Sequence, residues 1–166
     1  MSRPLVIANA DPEWPRLFER EAASVLASAS GVVRVEHVGS TAVPGLAATP
    51  TIDLLAGADD PAAVEADALA ALRYAEAVPA PEAGRRFFWK GTAAFPTYHL
   101  HLVRLDGDLW ARYLAFRDRL RADLALAERY DHHKRQALRD HTGDPAAYAA
   151  AKAAFIDGVL LGAGGA

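Results

Sequence analysis

The sequence predicts an α+β fold: a mixed β-sheet in the first two-thirds, flanking helices, and a C-terminal helical segment. Three observations carry this. Apolar runs over residues 32–38, 51–56, 85–89 and 98–105 are short and bounded by Gly, Pro or Asp, as strands are. A helix-start signal at Asp11-Pro12-Glu13 precedes Trp14, Leu17, Phe18 and Val25 at helical spacing. Beyond Asp106-Gly107 the apolar residues recur at i, i+3, i+4 nearly to the end.

Taken in order, a short apolar run at 5–8 leads to the first helix, expected with Asp11 as N-cap and Pro12 at its first position. Gly31 stops that helix and residues 32–38 form a strand. A Gly39-Ser40 turn follows, then a strand over 51–56, ended by Gly57 and the Asp59-Asp60-Pro61 break, and a helix over 62–72. Pro79 and Pro81 mark a loop. Strands over 85–89 and 98–105 are expected to pair antiparallel across 91–96. Helices are expected over 109–127, 130–140 and 145–160, the last after the Gly143-Asp144-Pro145 signal, with the tail from 160 fraying. No repeat or linker divides the chain, so residues 1–166 read as one domain able to bury one sizeable core.

Hydrophobic content is 52%, but alanine inflates it, and the core set is the smaller group of Leu, Val, Ile, Phe, Trp and Tyr. A net charge of −3 argues against non-specific nucleic-acid binding over the whole surface, though not against a local basic pocket. The absence of cysteine excludes disulfide scaffolds, thiolate zinc sites and cysteine nucleophiles. The first residues carry no signal-peptide pattern and no run approaches a bilayer span, so a cytoplasmic protein without a membrane partner is expected. Nothing in the sequence speaks to oligomeric state.

The chemistry gathers in the segment 36–55. A Gly-Ser turn (Gly39, Ser40, Thr41) whose amides can hold a phosphate is followed by one carboxylate, Asp53, on an otherwise apolar strand. Alternation puts Thr51, Asp53 and Leu55 on one face and Ile52 and Leu54 on the other. A carboxylate there is costly unless it meets a metal, a base or solvent, or caps a neighbouring turn. His99 and His101 share one face of their strand and can chelate a transition metal, or can be hydrogen-bonded at a sheet surface.

Arg117 and Arg121 fall within the apolar stripe of Trp110, Tyr113, Leu114, Leu120 and Leu124, so an anion is expected to meet them, internal or from a ligand. Glu21 lies in the stripe of the first helix and is one candidate partner for Arg117. Lys134 and Lys152 also sit on apolar faces, where long stems can carry the ammonium outward or line a basic cleft. Arg85, Arg86 and Lys90 interleave with Phe87, Phe88 and Trp89, a pattern shared by nucleotide contacts and by ordinary strand packing. Asp131, His132, His133 and His141 read as helix-surface residues. No HExxH, Walker A or GxGxxG motif is present.

Together, DPEWPRLFERE, EHVGSTAVPGLAATPTID, YHLHLV, LAFRDRLR, the Tyr130/Lys134 pair and the closing Tyr148, Lys152, Phe155, Ile156 set resemble the GrpB-like family over nearly the whole chain. That resemblance implies a nucleotidyltransferase-like fold. It also looks like a domain fused to dephospho-CoA kinase in some bacteria. The family pattern has lysine just before the proline of the 51–56 strand, where this chain has Thr49. Against true nucleotidyltransferases, Asp53 matches the second of two acids, Thr51 stands in place of the first, and histidine takes the place of a third.

The expectation is a cleft that binds a nucleotide or another phosphorylated small molecule through Gly39, Ser40, Thr41, Arg117, Arg121 and Lys134. Asp53 is the catalytic candidate, and Asp53, His99 and His101 are candidate ligands for a divalent metal (Mg, Mn or Zn). The alternatives are a non-catalytic binding or partner domain linked to coenzyme A biosynthesis, and a metal-dependent phosphohydrolase.

Overall fold

The computed structural model describes residues 6–92 and 95–162. Its elements are α1 (Trp14–Ser28), β1 (Val32–Val38), β2 (Ile52–Ala58), α2 (Ala66–Ala71), β3 (Ala75–Glu76), β4 (Arg85–Thr92), β5 (Phe95–Arg104), α3 (Asp108–Ala122), α4 (Leu124–Asp140) and α5 (Pro145–Gly162). Single turns of 3-10 helix stand at Ser40–Ala42 and Pro61–Ala63. The strands form one sheet in the order β1-β2-β5-β4-β3, with β2 and β5 parallel and every other pair antiparallel. This is the expected mixed sheet with flanking helices, and β4 and β5 pair as expected.

β2 and β5 sit centrally, and their side chains divide between two faces. Ile52, Leu54, Ala56, Leu100 and Leu102 join Trp14 and Val25 of α1 and Leu69 of α2 in one core. On the other face Leu55, Val103 and Val38 pack against Trp110 of α3. A third cluster joins Val43 and Leu46 of the loop after β1 to Leu120, Leu126, Ala127 and Tyr130 of the helices. Each fully buried leucine contributes about 1.5–3 kcal/mol. These three cores therefore pin the loop of residues 39–50 between the sheet edge and the C-terminal helices.

Several boundaries differ from the sequence expectations, among them β4, which runs on to Thr92, and β5, which spans Phe95–Arg104. The first helix starts at Trp14, not Pro12, with Pro15 in its first turn. Had Pro12 opened it, Pro15 would stand where the first intrahelical N–H is needed and could not supply it. Asp11 instead forms a turn ahead of the helix, its side chain accepting from the Glu13 N–H at 2.9 Å. β2 does not stop at Gly57 but runs to Ala58. Gly57 is required there because a Cβ would lie 2.7 Å from Leu105 and 2.8 Å from Trp110, so α3 packs directly on strand backbone. The helix expected over 62–72 is only Ala66–Ala71, after a 3-10 turn.

The helix expected over 109–127 breaks at Asp123, which caps α4 by accepting from the Leu126 N–H at 3.0 Å. An aspartate in extended conformation makes a better cap than a helix interior residue. Leu124 consequently leaves the α3 stripe and is 75% exposed. The run 5–8 and the tail lie partly outside the described residues. Ala8 makes an isolated antiparallel bridge to Ala48, and α5 continues to Gly162.

Candidate functional site

The parallel register of β2 and β5 places Asp53 directly beside His99, with His101 two residues along on the same face. Asp53 Oδ1 lies 2.9 Å from His101 Nε2 and 3.4 Å from His99 Nδ1. Burial pushes the Asp53 carboxyl up, but the hydrogen bonds and charges of His101 and His99 outweigh it and hold the group far below the usual carboxylate range. Asp53 is therefore an anion at neutral pH.

His101 is buried, and burial depresses its pKa despite the pull of Asp53, with Arg85 and His99 adding to the depression. Its Nδ1 lies 3.1 Å from Arg85 Nη1, which also donates to the Tyr113 hydroxyl at 2.7 Å. A guanidinium cannot accept a hydrogen bond. The Nδ1 of His101 therefore accepts from Arg85, and Nε2 carries the proton given to Asp53. A metal-bound imidazole needs the reverse: its coordinating nitrogen bare and its other N–H facing an acceptor. The surroundings of His101 thus do not suit a metal ligand, and Asp53 with the partly exposed His99 are left as donors. One carboxylate beside one imidazole suits a transition metal better than Mg²⁺, which prefers oxygen donors.

The Gly39-Ser40 turn closes over this carboxylate. Gly39 has φ +76°, and a Cβ on it would lie 2.5 Å from Asp53 Oδ2. Only glycine meets both demands, the left-handed backbone and the contact. Ser40 opens the 3-10 turn, and its Oγ accepts from Lys134 Nζ at 3.1 Å. Lys134 also donates to the Ala47 carbonyl at 2.6 Å and rests 5.0 Å from the Tyr130 ring centroid. It is only 2% exposed. Burial lowers its pKa to about 8, with Asp131 pulling up and Lys152 and Arg135 pushing down.

The other candidates serve the turn from its far side. Thr41 points inward, its Oγ1 2.9 Å from Nε2 of buried His37. Arg121 donates to the Ala42 carbonyl at 2.9 Å. Arg117 donates to Glu36 at 2.8 Å, to the His37 carbonyl at 3.1 Å and to Asp118 at 2.8 Å. The pairing of Arg117 with Glu21 does not occur: Glu21 is on the opposite side of the sheet and meets Lys90 at 2.8 Å. Arg86 likewise meets Glu76 and the carbonyls of Pro61 and Val64. The basic residues among the β4 aromatics are thus engaged within the protein.

Asp53, His99, His101, Gly39, Ser40 and Lys134 come together, then, while Thr41, Arg117 and Arg121 hold the turn from behind. Sequence reasoning missed Glu36, the role of Arg85 with Tyr113, and the place of Lys152. Glu36 had a signal, since it precedes the turn on a strand whose neighbours are apolar. Arg85 had none, because its partners are 16 and 28 residues away.

A family model described as GrpB protein matches residues 4–161. A UPF0157 protein of Pseudomonas aeruginosa is 38% identical over 93% of this chain and 65% of its own length, so the chain spans just under two-thirds of that relative. The Glutamate-rich protein GrpB of Alkalihalophilus pseudofirmus is 29% identical over 94% of each chain. The crystal structure of conserved protein GrpB from Enterococcus faecalis superposes with a TM-score of 0.75 at 28% identity, covering 93% of this chain and 99% of that one. On this evidence the chain belongs to the GrpB family.

Proposed function

We propose that the cleft between the Gly39-Ser40 turn, Asp53 and α4 binds a nucleotide or another phosphorylated small molecule. One observation carries the reading. A buried lysine ends on the hydroxyl of a turn serine, 3.1 Å away, at the point where that turn presses on an ionised aspartate. A serine hydroxyl and an ammonium at a glycine turn are the donors a phosphoryl group needs. The turn is held in advance by Arg117, Arg121 and Lys134, which reduces the ordering cost of binding.

Two uses of such a cleft are compatible with its chemistry. In a metal-dependent nucleotidyl transferase, a divalent ion supplied with the substrate would neutralise phosphate charge beside Asp53 and His99. Asp53 would remain ionised, and Ser40 and Lys134 would orient the phosphates. In a non-catalytic binding or partner domain linked to coenzyme A biosynthesis, the ligand would be a phosphorylated coenzyme A precursor. The second use is favoured by Thr51, which stands where a second metal-binding acid would be, and by the Arg85-facing tautomer of His101.

Calorimetric titration of a nucleoside triphosphate and of phosphorylated coenzyme A precursors, with and without Mg²⁺, Mn²⁺ or Zn²⁺, tests this. Saturable binding that needs metal and vanishes in Asp53→Asn supports the transferase. Binding without metal that survives Asp53→Asn supports the binding domain. Absence of binding by every phosphorylated compound would overturn both.

A further inference from the structure

Two helices repeat one device. On α4, Tyr130 and Lys134 stand four residues apart, and the ammonium lies 5.0 Å from the tyrosine ring centroid. On α5, Tyr148 and Lys152 repeat the spacing, with the ammonium 5.2 Å from its ring. Both tyrosines are buried, so each lysine stem runs along a fixed aromatic wall. Lys134 ends on Ser40. Lys152 makes no hydrogen bond or close ion pair with any described residue, although it feels the charge of Asp53 and in turn opposes the charge on Lys134.

Lys152 is partly buried, and a cation drawn part-way out of water with no hydrogen-bonding partner is costly to the protein alone. Lys134, already bonded to Ser40 and the Ala47 carbonyl, carries a like charge that acts on Lys152 and raises the cost. A surface role would send each stem outward instead, as long lysine side chains readily do. What satisfies this arrangement is an anion long enough to meet both ammonium groups. The seat also contains the Ser40 hydroxyl and lies beside an aspartate whose Oδ1 is taken up by two histidines.

Resting on the phosphate-binding reading above, we infer that Lys134 and Lys152 form a two-point clamp for a diphosphate or triphosphate group, with Lys152 contributed by the C-terminal helix. One phosphoryl group meets Ser40 and Lys134, and the next meets Lys152. A single phosphate reaches only one of the two cations. The inference thus names the ligand class as polyphosphorylated and gives α5 a direct part in binding.

The test compares inorganic phosphate, inorganic pyrophosphate, a nucleoside monophosphate and the matching triphosphate by calorimetry, on the full chain and its Lys152→Met and Lys152→Arg variants. The clamp predicts that pyrophosphate and the triphosphate bind about tenfold or more tighter than their one-phosphate counterparts. Lys152→Met should remove that advantage and leave the ligand-free melting temperature unchanged or higher, since an unpaired charge is gone. Lys152→Arg should restore part of the advantage. Should Lys152→Met fail to fold, the ε-methylene resonances of Lys134 and Lys152 in the unaltered protein supply the readout, and both should shift on adding pyrophosphate.

Tight pyrophosphate binding undiminished in Lys152→Met, or a Lys152 resonance that stays still at saturation, would overturn the clamp and leave the phosphate-binding reading standing. Equal affinity for phosphate and pyrophosphate would do the same. Failure of all four compounds to bind would overturn both.

Discussion

His37 shows how the residues behind the turn are tuned. It is 7% exposed, stacks on Phe18 at 4.6 Å between ring centroids, and shares a hydrogen bond with Thr41. Burial lowers its pKa to about 4, with Asp53 pulling it up and Arg121 and Arg117 pushing it down. The folded protein therefore keeps His37 neutral where the unfolded chain would protonate it, near pH 6.5. The unfolded state binds the extra proton, so stability is full above about pH 6.5 and falls as pH drops toward 4. The loss assigned to His37 across that range is about 3 kcal/mol. His101 is shifted in the same direction and adds to the same limb. Urea unfolding between pH 7 and pH 4 should show that slope, and His37→Asn should flatten it while lowering stability at pH 7. A His37→Asn curve as steep as that of the unaltered protein would contradict the assignment.

Among the elements, the loop from Gly39 to Thr49 matters most, because two helices and a strand act on it. α3 holds its first half through Arg117 to the His37 carbonyl and Arg121 to the Ala42 carbonyl, while α4 holds its middle through Lys134 to Ala47. The 3-10 turn and the Gly39 contact with Asp53 complete the frame. Gly39→Ala must either strain its backbone or displace the carboxylate. A cost of about 2 kcal/mol or more in thermal unfolding is expected, together with a weakened response to phosphate compounds. An alanine variant with unchanged stability and ligand response would show that this contact is not required.

These elements also show what was legible in advance. β1 could be read to the residue, because Gly31 and Gly39 bracket a valine-rich run. Asp53 with His99 and His101 could be placed on one face each by alternation alone. That they meet depends on β2 pairing with β5 across 36 residues of intervening chain that includes α2, β3 and β4, and no local pattern encodes that pairing. The inward arginines of α3 were visible as an anomaly, but apart from Asp118 their partners are backbone carbonyls and Glu36, some 80 residues distant. The break at Asp123 was hidden because the apolar spacing of α3 runs on into α4.

Over the whole molecule, charge is sorted by side of the sheet. Lys90 with Glu21, and Arg86 with Glu76, neutralise the α1/α2 side and the β3 edge. The side under α3, α4 and α5 keeps Asp53 ionised and leaves Lys152 without a close partner among the described residues. An open groove of about 600 Å³ also runs between α3, α4 and α5, lined by Arg119, Leu126, Arg129, Phe155 and Val159. It shares none of the residues that surround Asp53, so it offers a clear competing location for any bound anion. No described helix is long and apolar enough to cross a membrane.

The central claim, a phosphate-binding cleft built from the Gly39-Ser40 turn, β2, β5 and the C-terminal helices, is tested most directly by mapping amide chemical shifts. A nucleoside triphosphate would be titrated into the isotopically labelled chain. The account predicts saturable shifts concentrated at Gly39, Ser40, Thr41, Asp53 and His99 and around Lys134 and Lys152, with Glu21 and Lys90 unmoved. Shifts confined to Arg119, Arg129 and Val159 of the open groove, or no saturable shifts at all, would contradict it.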